Sequence, residues 1–248
     1  MRVLLIALFA LAAIAPASAA DLKLLTAGAF KSVALELVPE FEKKTGHKVT
    51  VENDTAGGLA RRIAGGEYFD VVVLPPAALA PLLGSKAVES SVKPLARVGI
   101  GVAIKQGAPV PDISTVDAWK QSLLAARAIA YTDPASGGTA GTYLAKLFEK
   151  MGIADALKPK SVLVKGGLAA EKIVSGEAEI AMQPASELLA VPGVVLVGPI
   201  PLEVQTYIIY AGAVSAAARD RSAADALLAA LHGPDKAALL KKKGMELP

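Results

Sequence analysis

Hydrophobic residues along the chain follow two alternating spacings. Short, nearly continuous apolar runs predict buried strands, and residues 69–74 are such a run. Apolar residues that recur every three or four positions predict helices, as Val33, Leu37 and Phe41 do. Runs of the first kind alternate with stretches of the second kind, joined by short connections. This order predicts an α/β fold built on a parallel sheet.

The pattern places the strands at residues 22–25, 48–51, 69–74, 97–104, 128–131, 161–164, 179–182, 194–197 and 204–214. Helical spacing follows most of these strands, and two further helices finish the chain. Residues 114–117 resemble a capping box, and residues 222–225 resemble a cap for the first of the two C-terminal helices. Trp119 falls at an apolar helical position, which predicts that it packs in the core.

Four strand-to-helix connections are rich in Gly, Ser or Thr. They are Thr26-Ala27-Gly28-Ala29, Thr55-Ala56-Gly57-Gly58, Ser136-Gly137-Gly138-Thr139 and Lys165-Gly166-Gly167. Each leaves backbone N–H groups free at the positive end of a helix, where anions bind. Two loops precede residue 60 and two follow residue 130, which predicts a pocket between two lobes.

The predicted domain organisation has three parts. Residues 1–20 are a signal peptide, residues 21–99 with 204–248 form lobe 1, and residues 100–203 form lobe 2. Hinge strands near residues 98–102 and 199–206 would let the lobes close on a ligand.

The first twenty residues have the pattern of a cleavable signal. Arg2 supplies a positive start, residues 3–14 are apolar and uncharged, and small residues follow. Cleavage is expected after Ala19 or Ala20, and a periplasmic location follows. The chain has no cysteine, so disulfides and a lipid anchor on cysteine are excluded.

Charge and chemistry exclude several classes of function. There are 26 Lys and Arg against 23 Asp and Glu, and the one run of three lysines, residues 241–243, ends a predicted helix. We therefore expect no nucleic-acid partner. The two histidines, His47 and His232, lack zinc-site spacing, and no Walker loop or G-x-G-x-x-G appears. We expect no metal, no cofactor and no catalytic residue, and hence no enzyme.

Four segments, in the same order and spacing, resemble the type II periplasmic solute-binding proteins, and most of all the molybdate-binding proteins of ABC transporters. The segments are residues 41–49, residues 59–66 followed by 69–73, residues 133–134 with 140–143, and residues 176–181. The similarity runs over nearly the whole chain after the signal. It implies a two-lobed α/β fold with the ligand in the interlobe cleft.

The resemblance also implies ligand contacts, some of which this chain has changed. Ala29 and Ala56 stand where the family has serines, and Pro184 stands where it has a tyrosine. The family's two backbone contacts fall near Ala140 and Gly166. The residues expected to replace or supplement the lost donors are Lys31, Thr55, Gly57, Ser136, Gly137, Thr139 and Gln183.

Two ligands remain open at this point. The family implies a molybdate-like oxyanion, whereas the loss of three side-chain donors favours a larger organic anion such as a carboxylate, because each unpaired charged oxygen is costly to bury. The expected partners are this anion and an inner-membrane ABC permease, and we expect a monomer. Uptake and sensing are both compatible with the sequence.

Overall fold

The computed structural model describes residues 19–248. The predicted signal segment therefore lies outside the described residues, apart from Ala19 and Ala20. Within the described part, no helix is both long and apolar enough to cross a bilayer.

Nine strands and ten helices are assigned in residues 19–248. The strands are β1 Asp21–Ala27, β2 Lys48–Asp54, β3 Val71–Leu74, β4 Lys93–Lys105, β5 Ile129–Thr132, β6 Ser161–Val164, β7 Ile180–Pro184, β8 Val194–Pro199 and β9 Tyr207–Val214. The helices are α1 Gly28–Thr45, α2 Ala56–Ala64, α3 Pro76–Leu79, α4 Val116–Ala125, α5 Thr139–Lys150, α6 Ala154–Leu157, α7 Ala170–Val174, α8 Ala185–Leu188, α9 Arg221–Leu231 and α10 Ala237–Lys242.

The strands form a mixed sheet in the order β2-β1-β3-β9-β4-β7-β5-β6, and β8 also pairs with β4. β1 is parallel to β2 and β3, and β5 is parallel to β6 and β7. All pairs that include β4 or β9 are antiparallel. The expected α/β class is confirmed, but the expectation of a wholly parallel sheet is wrong. The two long strands at the centre run against their neighbours.

The central strand β4 changes partners halfway along its length. It pairs with β9 from Lys93 to Gly99 and with β7 from Ile100 to Ile104. The side chain of Gln205 binds both backbone groups of Ile100, accepting from its N–H at 3.0 Å and donating to its carbonyl at 2.9 Å. The predicted lobe boundary between residues 99 and 100 falls at this exchange, and the division into lobes stays a prediction.

The core lies between the sheet and the helices. Trp119, Phe30 and Phe148 are among its largest fully buried side chains. The rings of Trp119 and Phe148 are 6.2 Å apart, and Tyr131 meets Phe148 edge-on at 5.6 Å. Trp119 therefore packs in the core, in line with its helical spacing.

The residues that cap the helices have side chains or conformations suited to helix ends, but two N-caps differ from those expected from the sequence. Gly46 ends α1 at φ +79° and donates its N–H to the carbonyl of Glu42. The cap of α4 is Thr115 alone, whose hydroxyl accepts from Ala118 N–H. Asp220, rather than residues 222–225, caps α9. A short polar side chain placed just before the first helical turn reaches the free N–H groups best.

Three other elements differ from the pattern. The last strand begins at Tyr207, because a 3-10 turn occupies Leu202–Val204. The short helices α6 and α8 have too few residues to produce a recognisable spacing. Helix α8 nevertheless contributes to the cleft described next.

Candidate functional site

A cleft of about 300 Å³ lies where the N-termini of α1, α2 and α5 converge. Nine of the twelve predicted site residues line it: Ala29, Lys31, Thr55, Ala56, Thr139, Ala140, Gly166, Gln183 and Pro184. The four glycine-rich loops that the sequence singled out are thus brought to one place. The parallel strands β1 and β2 end at two of these loops, and the parallel strands β5 and β6 end at the other two, because the carboxyl ends of parallel strands share one edge of a sheet.

Helices α1 and α5 begin at the cleft without side-chain caps. Their N-cap residues, Ala27 and Gly138, contribute no side-chain hydrogen bond. The first-turn N–H groups of both helices therefore keep their hydrogen-bonding capacity, and the helix dipoles place partial positive charge there. This arrangement suits the negative oxygen atoms of a ligand.

The remaining predicted residues, Gly57, Ser136 and Gly137, do not line the cleft. Gly57 donates its N–H to the Gly137 carbonyl at 3.0 Å, and Thr55 Oγ1 donates to the Ser136 carbonyl at 2.6 Å. Ser136 Oγ donates to the Asp133 carbonyl at 2.7 Å. These residues join the loop before α2 to the loop before α5.

The expected replacement donors are therefore largely occupied. The hydroxyl protons of Thr55 and Ser136 already serve protein carbonyls, so neither is free for a ligand. Thr139 is exposed at the start of α5. Ala29, Ala56 and Pro184 add apolar wall surface without side-chain donors.

Gln183 is also committed to the protein. Its amide nitrogen donates to Thr132 Oγ1 at 3.0 Å and to the Gly167 carbonyl at 3.2 Å, and its oxygen accepts from Ala169 N–H at 2.6 Å. The expected amide donation to a ligand does not fit this geometry. Gln183 instead fixes the loop that carries Gly166.

Charged groups of both signs border the cleft. Lys31 is exposed in the first turn of α1 and forms no salt bridge within residues 19–248. Asp54 accepts from Thr55 N–H at 2.7 Å, and its carboxylate lies 3.6 Å from the Arg62 guanidinium. Among the residues that line the cleft, Lys31 therefore provides a positive charge that is available to bind an anion.

Sequence reasoning missed three ionisable residues of the cleft, Asp54, Glu187 and Tyr210. Burial raises the pKa of Glu187 to about 8. Burial and the nearby Glu187 carboxyl raise the pKa of Tyr210 above its usual range. Glu187 lies on α8, just after the buried strand β7, so an acidic residue at the carboxyl end of a strand was the available signal. Tyr210 lies within β9 and gave no such signal.

Space for Glu187 depends on Gly28. A Cβ atom at Gly28 would overlap Oε1 of Glu187. The neighbouring Ser186 donates from Oγ to the Ala29 carbonyl at 2.8 Å, which holds α8 against the start of α1. In the described range 19–248, no group of three or more acidic or histidine side chains is placed to hold a metal ion.

The two-lobed α/β fold and a cleft lined by helix N-termini define a periplasmic binding protein of the type II class. The chain belongs to the family of bacterial extracellular solute-binding proteins, whose family model matches residues 22–246. The resemblance stated from the sequence is therefore confirmed at the level of family and fold.

Two solved structures share this fold. The periplasmic molybdate-binding protein of Azotobacter vinelandii has a TM-score of 0.77 at 20% identity, covering 92% of this chain and 99% of that protein. The sulfate-binding protein SubI of Mycobacterium tuberculosis H37Rv has a TM-score of 0.71 at 16% identity, covering 91% of this chain and 86% of that protein.

A relative of known name is more similar in sequence. An aconitate isomerase from a Pseudomonas species is 35% identical over 232 residues, covering 91% of this chain and 87% of the relative. The expectation that no enzyme would be found is contradicted by this relative. The expectation rested on the lack of nucleophile pairs, zinc spacing and nucleotide loops, and a proton-transferring isomerase is able to act without these features.

Proposed function

We propose that this protein binds a small unsaturated polycarboxylate in the cleft and isomerises it. The proposal rests first on the 35% identity to an aconitate isomerase across nearly the whole chain. Aconitate is a propene that carries three carboxylates, and its isomers differ in geometry about the double bond. The cleft offers matching chemistry: backbone donors for carboxylates, one free lysine and a carboxyl group of raised pKa.

The observation that carries the proposal is the pair of uncapped helix N-termini at opposite sides of one cleft. The first turns of α1 and α5 are each able to bind one carboxylate through backbone N–H groups. Lys31 supplies a positive charge close to the first of these sites. A ligand with two or three carboxylates spaced along a short carbon chain would satisfy both helices together.

A compact tetrahedral oxyanion suits the cleft less well. Such an ion requires a dense shell of donors, because each charged oxygen that is buried without a partner is costly. Thr55 and Gln183 have their donors engaged, and Ala29, Ala56 and Pro184 have none to offer. The volume of about 300 Å³ also lies within the range of small organic ligand sites.

Solute delivery to an inner-membrane ABC permease is the second candidate function. Membership of the solute-binding family favours it, as do the contacts that join the two loops across the cleft mouth. In this role a monomer would close on the same polycarboxylate in the periplasm and present the closed form to the permease. The signal-like pattern of residues 1–20 supports that location.

The test uses purified protein without its first nineteen residues. Thermal unfolding is measured with cis- and trans-aconitate, citrate, succinate, molybdate, tungstate and sulfate, because a ligand of the native state raises the melting temperature. Conversion of each aconitate isomer is followed by proton NMR. Stabilisation by tricarboxylates together with isomer conversion is expected.

The two candidate functions separate in the same experiment. Stabilisation by tricarboxylates without conversion favours delivery over isomerisation. Stabilisation by molybdate or tungstate, with no response to carboxylates, contradicts both forms of the proposal.

A further inference from the structure

Glu187 occupies a distinct place in the cleft wall. Its carboxyl lies against the Cα of Gly28, at the first residue of α1, and shares the cleft with the phenol of Tyr210. No hydrogen bond or opposite charge within residues 19–248 stabilises its ionised form, so burial alone determines its raised pKa. A carboxyl group in this situation takes up and releases protons readily near neutral pH.

Two contacts hold helix α8, which carries Glu187, against its neighbours. The Ser186 hydroxyl donates a hydrogen bond to the Ala29 carbonyl at 2.8 Å, and this contact holds the residue next to Glu187 against α1. Gly244 packs against the start of α8, since a Cβ there would lie 3.3 Å from the Ala185 carbonyl carbon. Because Gly28 has no side chain, it leaves room for the Glu187 carboxyl beside the first turn of α1.

Ser32, one turn after Gly28 on α1, adds an independent indication of a ligand. Its hydroxyl is buried and has no hydrogen-bond partner among the described residues, although Ser32 lines the same cleft. Buried polar atoms are nearly always paired, so an unpaired hydroxyl on a residue that lines the cleft fits a position that a ligand oxygen completes.

The other ionisable groups of the cleft are less suited to proton transfer. Asp54 lies on β2 and its carboxylate is already engaged, by the Thr55 N–H at 2.7 Å and by the Arg62 guanidinium at 3.6 Å. Lys31 is exposed and serves as a charge for substrate binding. Tyr210 keeps its proton, because burial and the Glu187 carboxyl both oppose the phenolate. It is therefore a hydrogen-bond donor and not a second base.

We propose that Glu187 is the catalytic acid–base group of the cleft and moves the proton that shifts the double bond of the polycarboxylate. This assignment rests on the proposed isomerase function. In the first step the Glu187 carboxylate removes a proton from the methylene carbon next to the double bond. The electron pair of that C–H bond forms the new double bond, and the electron pair of the old one moves to the far carbon and its carboxylate.

In the second step Glu187 delivers a proton to that far carbon, and a proton held on the carboxyl between the two steps exchanges with solvent. One C–H bond has broken and one has formed, so no oxidant or reductant is needed. Because the two end carbons of aconitate carry the same substituents, the product is again aconitate. Its geometry is set by the conformation in which the cleft held the methylene carbon. The negative charge of the intermediate lies on carboxylates that the N–H groups of α1 and α5 bind.

The experiment compares Glu187→Gln with Glu203→Gln, an exposed glutamate outside the cleft. Isomer conversion is measured in D₂O, where a proton that exchanges on Glu187 introduces deuterium into the methylene group. Glu187→Gln is expected to lose both conversion and deuterium uptake by about 100-fold or more, which is the usual share of acid–base catalysis. Its affinity for tricarboxylate, measured by calorimetry, is expected to stay within several-fold of the parent.

Gly28→Ala is the second variant, since it keeps the carboxyl but displaces it. Gly28→Ala is expected to lose isomer conversion although Glu187 itself is unchanged. This variant therefore tests the role of the carboxyl if Glu187→Gln does not fold. Conversion and deuterium uptake at parental rates in Glu187→Gln would overturn the assignment of Glu187 alone. A parent protein that binds tricarboxylate and neither converts nor exchanges it would overturn the proposed isomerase function as well.

Discussion

Gly57 donates its backbone N–H to the carbonyl of Gly137 at 3.0 Å, joining the loop before α2 to the loop before α5. The approach is close enough that a Cβ on Gly57 would lie 2.9 Å from the Gly137 Cα. Two glycines therefore allow two backbones to meet at the mouth of the cleft. In this conformation the two loops are in direct contact.

Gly57→Ala is expected to prevent this contact. The added methyl has no flexible neighbour to displace, because it meets backbone atoms of Gly137. We predict about tenfold weaker ligand binding, equivalent to about 1.4 kcal/mol, with little change in overall stability. Calorimetry measures the affinity. Gly198→Ala, whose methyl would make only ordinary contact at 3.4 Å with Ile113, is the control. Unchanged affinity in Gly57→Ala would show that binding does not need the contact.

Thr55 performs two tasks with one hydroxyl. It accepts from Gly58 N–H at 3.0 Å as the cap of α2, and it donates to the Ser136 carbonyl at 2.6 Å. Thr55→Ala is expected to cost about 1 kcal/mol of stability through the lost cap and, in addition, to weaken ligand binding. Thr115→Ala removes a cap of the same kind from α4, far from the cleft. Urea unfolding and calorimetry should find similar destabilisation in both variants but weaker binding only in Thr55→Ala.

Gln183 is predicted to be a major support of the cleft wall. It is buried and makes three hydrogen bonds, to Thr132, Gly167 and Ala169. Gln183→Leu leaves these groups without partners, so we expect a loss of about 2–4 kcal/mol in the free energy of unfolding. The urea midpoint measures this loss. Gln121→Leu, at an exposed position of α4, should change it little. Equal midpoints for the two variants would contradict the role given to Gln183.

The raised pKa of Glu187 predicts how stability depends on pH. The unfolded chain releases this proton near the ordinary value of 4.5, whereas the folded protein holds it until about pH 8. Its contribution to stability is therefore complete below pH 4.5, declines as the pH rises, and is lost above pH 8. Without ligand, the parent protein should lose stability from pH 5 to 8 by more than Glu187→Gln does. The difference should reach at least about 1 kcal/mol, since one pKa unit corresponds to about 1.4 kcal/mol.

Urea unfolding at pH 5, 6, 7 and 8 checks this expectation. Glu203→Gln serves as the matched control, because Glu203 is exposed and lies outside the cleft. Parallel curves for the parent protein and Glu187→Gln would mean that Glu187 titrates at its ordinary pKa in the folded state.

Spacing and local chemistry were sufficient to predict much of the fold. The strand Ser161–Val164 was predicted with its observed bounds, because apolar periodicity acts within a few residues. The convergence of the loops within each pair also followed from the sequence, since parallel strands end at a common edge, whereas the meeting of the two pairs depends on the antiparallel strands β4 and β9 between them. Family membership followed from the order and spacing of the quoted segments and was confirmed over residues 22–246.

Only the tertiary structure decided which donors are free. Thr55 and Gln183 have the right chemistry for an anion, but the partners of their donors lie 81 and 51 residues away along the chain, so their engagement cannot be read locally. The same holds for Glu187, which meets Gly28 only through the packing of α8 against α1. The raised pKa of Glu187 arises from burial, and burial is a property of the assembled fold. The sequence by itself thus determined the frame and location of the cleft, and long-range packing determined its chemistry.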